Sequence, residues 1–112
     1  MSEQTAGTVY VQATLSVLGG KWKILILWHL KDQTRRFGEL KRLMPEITEK
    51  MLIQQLRELA SDGIVDRTVY SEVPPKVEYS FTSYGRSLEP VLHALCDWGE
   101  VHLSRNNQQS SV

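Results

Sequence analysis

Apolar side chains recur every three or four positions through the first half of the chain, and every second position soon after Gly63. Val11 to Leu18 places Val11, Leu15 and Leu18 on one helical face, and Gly19-Gly20 ends the run. Lys21 to Leu30 predicts a second helix. Its stretch Ile24 to Trp28 is apolar on every side, so several neighbours must cover it. Phe37, Leu40 and Met44 are spaced for a third helix, which Pro45 ends by disfavouring helical geometry at Met44. Thr48 offers its hydroxyl as N-cap of a fourth helix running to about Asp62, with Met51, Leu52, Leu56 and Leu59 expected to face the core. Gly63 stands where a left-handed C-terminal residue is wanted. Joined by Pro45-Glu46-Ile47, these last two helices have the proportions of a helix-turn-helix.

Val77, Tyr79 and Phe81 alternate with Glu78, Ser80 and Thr82, a half-buried strand whose partner is expected over Ile64 to Tyr70. The connecting Ser71 to Lys76 carries Pro74-Pro75, which stiffen a projecting tip. The polar run Asp32 to Arg36 reads as a turn. Thr82 is expected to cap a last helix, bent at Pro90 and running to about Leu103. Its side chains Leu88, Val91, Leu92, Leu95 and Trp98 form a face too apolar for so small a monomer to leave in water, so pairing with a second copy is expected. The fold class is therefore mainly α (α+β): one winged helix-turn-helix domain over residues 9–105 with a two-stranded wing and added terminal helices. Residues 1–8 and the polar tail 106–112 are expected to be flexible.

Net charge argues against a nucleic-acid binder, because 13 basic and 13 acidic residues cancel. Distribution reverses that reading. Residues 21–57 hold nine basic and four acidic side chains, whereas residues 58–112 hold four basic and eight acidic. Such asymmetry suits a chain with one face turned to an anion. The candidate base readers are Thr48, Lys50, Gln54 and Arg57, an outward stripe on the second helix of the pair, with Gln55 at its edge. Lys and Arg suit guanine acceptors and phosphates, and Gln can pair with adenine through two hydrogen bonds. Lys21, Lys23 and Arg36 are candidate phosphate contacts, and Lys76 at the hairpin tip is a candidate wing contact with double-stranded DNA.

The stretches LGGKWKILIL (Leu18 to Leu27), RFGELKRLMPEITEKMLIQQLRELASDGIV (Arg36 to Val65) and EVPPKVEYSFTSYGRSLEPVLHAL (Glu72 to Leu95) resemble the HxlR-type family of bacterial winged-helix regulators. The resemblance runs from about Val11 to Glu100, and its Gly-Gly-Lys-Trp and Val-Pro-Pro-Lys-Val-Glu-Tyr motifs are specific. It implies a homodimer, joined through the first and last helices, that binds a near-palindromic operator and represses or activates a nearby gene. Leu15 on the first helix then joins the candidate dimer residues. Many members carry a cysteine in a Cys-Pro-Val-Glu context before the first helix, and some sense quinones, aldehydes or oxidants with it. Val9-Tyr10-Val11-Gln12 stands there instead, so redox sensing by that route is not expected.

The one cysteine, Cys96, permits no internal disulfide, which suits a reducing cytosol and a cytoplasmic protein. Beside Leu92 and Leu95 it is expected to be a buried small hydrophobe. His93 and Cys96 lack further ligands at metal spacing, so no metal site is expected. No cofactor motif, nucleophile-base pair or carboxylate cluster marks an enzyme, and none is expected. No apolar run approaches the ~18 residues of a membrane span. A small-molecule effector stays open. Trp22, Trp28 and Trp98 are the aromatic side chains that would line its pocket, although core and interface packing is their commoner use. The rival function is a winged-helix module that docks on protein.

Overall fold

The computed structural model describes residues 5–110, and side chains as far as residue 106. In chain order come α1 (Ala6–Leu18), α2 (Lys21–Leu30), β1 (Arg35–Arg36), α3 (Phe37–Leu43), α4 (Glu49–Ser61), β2 (Val65–Tyr70), β3 (Lys76–Phe81) and α5 (Glu89–Ser110). A 3-10 turn, Gly85–Leu88, separates β3 from α5.

Helix α2, apolar on every side from Ile24 to Trp28, is the hub. Ile26, Leu27 and Leu30 are sealed from solvent, and the helix touches α1, α3, α4, α5 and β3. Burying each such side chain contributes roughly 1.5–3 kcal/mol. Leu40, Leu52, Leu56, Leu59 and Phe81 close the core from the other elements. Met51 departs from the expectation: it is 37% exposed, because only Leu52, Leu56 and Leu59 lie on the narrow stripe of α4 that meets α2.

Local chemistry sets the helix-turn-helix. The Glu39 carboxylate accepts the Arg36 backbone N–H at 2.9 Å, opening α3. Buried Ile47 anchors the turn, and the Thr48 hydroxyl accepts the Met51 N–H at 3.1 Å as the N-cap of α4. At the other end Gly63 has φ +75°. Its N–H donates to Ala60 and that of Ile64 to Leu59, a Schellman closure that turns the chain into β2.

β2 and β3 form the expected antiparallel hairpin, with Val65 opposite Phe81 and Tyr70 opposite Lys76. The expected polar turn at Asp32 to Arg36 is corrected in part. Arg35 and Arg36 make a third strand on the other edge of β3, opposite Tyr79 and Glu78, giving the order β1-β3-β2. Two residues are too short for a period of two to register, so only the free edge of β3 reveals them.

Both terminal helices are longer than expected. Thr5 caps α1, which starts at Ala6 rather than Val11, and α5 runs to Ser110 rather than about Leu103. The expected flexibility of residues 1–8 and 106–112 thus meets helix at 6–8 and 106–110, while residues 1–4 and 111–112 lie outside the described residues. The Thr82 hydroxyl accepts the N–H of Gly85, where the 3-10 turn begins, and caps no bent helix. Pro90 occupies the first turn of α5, where its missing N–H costs nothing. These helices project: the radius of gyration is 17.0 Å, where a compact chain of this length would have about 13 Å.

Candidate nucleic-acid interface

The outward side of α4 carries Lys50, Gln54 and Arg57, all exposed, in line with Thr48 at its N-terminus. The Thr48 hydroxyl oxygen is already engaged as the cap, which leaves its O–H hydrogen and the free amides of the first turn to an anion. Gln55 is half-buried, its amide directed at the Met51 sulfur at 3.4 Å, so it sits at the inner edge of the stripe.

The candidate phosphate residues divide. Lys21 and Arg36 are exposed, Lys21 lying 4.5 Å from the Trp22 ring centre. Lys23 is a correction: only 6% exposed, it reaches from α2 to α4 and pairs with Glu58 at 2.8 Å. Its position on the core side of α2, one turn before Ile26 and Leu27, removes it from any phosphate. Lys76 is half-buried at the base of the wing tip, paired with Glu78 at 2.8 Å and resting 4.9 Å from the Tyr70 ring centre. Val73, at 99% exposure, is what the tip presents outermost.

Between α4 and the sheet runs a groove of about 570 Å³, lined by apolar side chains that include Phe37, Ile53 and Tyr79, with Arg57 on the helix wall and Arg67 on the strand wall. Both arginines are exposed and neither belongs to an ion pair among the described residues. Arg67 was overlooked in the sequence. The available signal was parity: it shares a face of β2 with Val65 and Val69, opposite Tyr79, where an apolar residue would be usual.

Among the described residues three groups have displaced ionisation. Lys23, as hydrogen-bond donor and nearby charge, holds the Glu58 carboxyl below the usual range, and the Gln54 amide adds to the effect. Lys31, bonded at 2.7 Å, lowers Asp32. Burial first, and then the Arg35 guanidinium, lowers His29.

The candidate dimer residues also separate. Leu15, Val91, Leu95 and Trp98 are 60%, 38%, 47% and 68% exposed on α1 and α5. Leu92 is a correction: at 1% exposure it plugs the chain's own core, on the side of α5 that meets α2. Leu88 is half-buried against the same core. Cys96 is corrected as well, being exposed on α5 because the face it shares with Leu95 is uncovered. Trp22 and Trp28 pack against the core, Trp28 edge-on to His93, while Trp98 stacks on His102 at 5.0 Å. Among the described residues no three His, Cys, Asp or Glu side chains gather as a metal site, and no helix is long and apolar enough to cross a membrane.

This arrangement of helix pair and hairpin recurs in known proteins. An uncharacterized HTH-type transcriptional regulator of Bacillus subtilis, YtcD, is 57% identical over 103 residues, 92% of this chain and 82% of its own. A crystal structure described as a putative HTH-type transcriptional regulator ytcD superposes with a TM-score of 0.81 at 60% identity, covering 84% of this chain and 96% of the other. The redox regulator HypR in its reduced form matches with a TM-score of 0.83 at 49% identity, over 88% of this chain and 98% of that one. The sequence model of the HxlR-like helix-turn-helix matches residues 17–107, from the end of α1 well into α5. By that match, and by relatives this similar along most of their length, the chain belongs to the HxlR-like helix-turn-helix family.

Proposed function

We propose that the chain, a winged-helix DNA-binding transcriptional regulator, acts as a homodimer on an inverted-repeat operator and performs no catalysis. The observation that carries this reading is the pair of guanidiniums, Arg57 and Arg67, without an ion pair among the described residues, on opposite walls of the groove beside the outward face of α4. Lys50, Gln54 and Arg57 read base edges in the major groove. Arg67, Lys21 and Arg36 hold the phosphate backbone, and Lys76 does so only when DNA draws it from Glu78. A second copy covers the apolar face of α1 and α5, setting two α4 helices about 34 Å apart in successive major grooves. Work on chromosomal DNA places the protein in the cytoplasm.

The test is binding of the purified protein to random duplex DNA across a range of salt concentrations. Binding that weakens steeply with salt is the expected outcome. A folded protein that ignores duplex DNA at low salt would instead favour the rival role of docking on protein.

A further inference from the structure

Lys23 is the buried charged residue among the described side chains, and packing alone does not explain it. Withdrawing an ammonium from water is costly, and an apolar side chain of similar length would fill the same space without that cost. What the lysine does reach is α4, at the Glu58 carboxylate, 2.8 Å away. Glu58 is only part-covered, at 44% side-chain exposure, so its outer edge lies on the surface of the recognition helix. One turn earlier stands Gln54, exposed, at the i, i+4 spacing on α4 that brings its amide within reach of that same carboxylate.

We propose that Lys23 and Glu58 are positioning residues that set which way round the Gln54 amide meets a base. The inference rests on the reading of α4 as the base-reading helix. An ionised carboxylate accepts hydrogen bonds and donates none. Held by Lys23, Glu58 therefore selects the amide's NH2 end and turns the carbonyl away. One hydrogen of that NH2 faces Glu58, and the other remains free beside the carbonyl oxygen. That order, one donor next to one acceptor, matches the N7 and N6 groups of adenine in the major groove. Without the anchor Glu58 swings into solvent, the amide flips freely, and its donor and acceptor exchange places.

The experiment starts from a duplex library with a randomised core, from which the wild-type protein selects its preferred inverted repeat. Binding is then measured on that repeat, on its single-base variants and on a scrambled duplex, for wild type, Gln54→Ala, Lys23→Met, Glu58→Gln and the Lys23→Met/Gln54→Ala double variant, with melting temperatures alongside. Gln54→Ala should relax one position in each half-site. Lys23→Met and Glu58→Gln should each lose about tenfold discrimination at that same position, while affinity for the scrambled duplex stays within about twofold. The double variant should lose nothing further there. Should Lys23→Met fail to fold, Glu58→Gln at its part-exposed site carries the comparison alone. An even loss at every position, or an unchanged preference at the position of Gln54, makes the pair a structural strut and overturns the proposal. If Gln54→Ala itself relaxes no position, the base-reading assignment of α4 fails and takes this inference with it.

Discussion

The Thr82 hydroxyl donates to the Gly63 carbonyl at 2.6 Å, with Ile64 O a second acceptor at 3.2 Å, and itself accepts the Gly85 N–H at 2.8 Å. One side chain thus ties the end of α4 to the end of β3 and to the start of the turn leading into α5. Thr82→Val keeps the shape and deletes the knot, and is expected to cost about 1–3 kcal/mol. Urea denaturation measures it. Gly85→Ala should cost more, since a Cβ there would collide with the Ile64 carbonyl oxygen. Equal stability of Thr82→Val and wild type would mean that the β2–β3 pairing alone sets this junction.

Neighbouring leucines on α5 should behave oppositely. Leu95→Glu with Trp98→Glu alters side chains that are 47% and 68% exposed, and is expected to yield folded monomers. Leu92→Ala opens the chain's own core and should cost about 2–5 kcal/mol whatever the oligomeric state. Sedimentation and denaturation separate the two effects. A wild type that sediments as a monomer at micromolar concentration would remove the dimer from the proposed function.

Arg67 and Lys76 both lie on the wing but differ in what they must give up on binding. Among the described residues Arg67 has no ion-pair partner, whereas Lys76 must leave Glu78. Arg67→Ala is therefore expected to weaken all duplexes and lower the salt slope by roughly one unit. Lys76→Ala should show a smaller loss. Binding isotherms at several salt concentrations decide between them, and an unchanged slope for Arg67→Ala would take it out of the interface.

Stability should decline as pH falls from about 7.5 to 5.5. His29 has its pKa lowered by burial and by Arg35, so over this range the unfolded chain binds more protons than the folded one. Its contribution is complete above the unfolded value, about 6.5, and is lost as pH drops through the folded value. His29→Gln should flatten that slope. Asp32 and Glu58 are also lowered, but their losses belong to a more acid window, below about pH 4. A thermal-melt series across both windows tests the sign. A melting temperature that rises on acidification to pH 5.5 would contradict it.

Oxidation is expected to leave DNA binding intact. Val9 stands where the family resemblance places a sensing thiol, and exposed Cys96 has no second cysteine in its own chain. The parent and Cys96→Ser should bind duplex DNA alike with and without diamide. Loss of binding by the oxidised parent alone would make Cys96 a sensor acting between copies.

Much of the fold was legible because local rules and tertiary packing agree. The apolar period of α2, the Thr48 cap and Gly63 each specify backbone geometry within a few residues, and α4 begins and ends where they place it. The outward stripe Lys50, Gln54 and Arg57 follows from the same period. Other features depend on what stands opposite, which periodicity does not encode. β1 exists because β3 offers an unpaired edge, and Pro90 starts a helix because a 3-10 turn precedes it. At Lys23, Leu92 and Cys96 burial is set by what stands opposite and not by residue type. Glu58 brings Lys23 inside, α2 covers Leu92, and the uncovered outer face of α5 leaves Cys96 in solvent. Sequence alone determined which segments turn into helix and strand, since those choices cost or gain energy within a few residues. Only the packed structure decided which charge is buried and which apolar face is left uncovered, since those energies come from residues far apart in the chain.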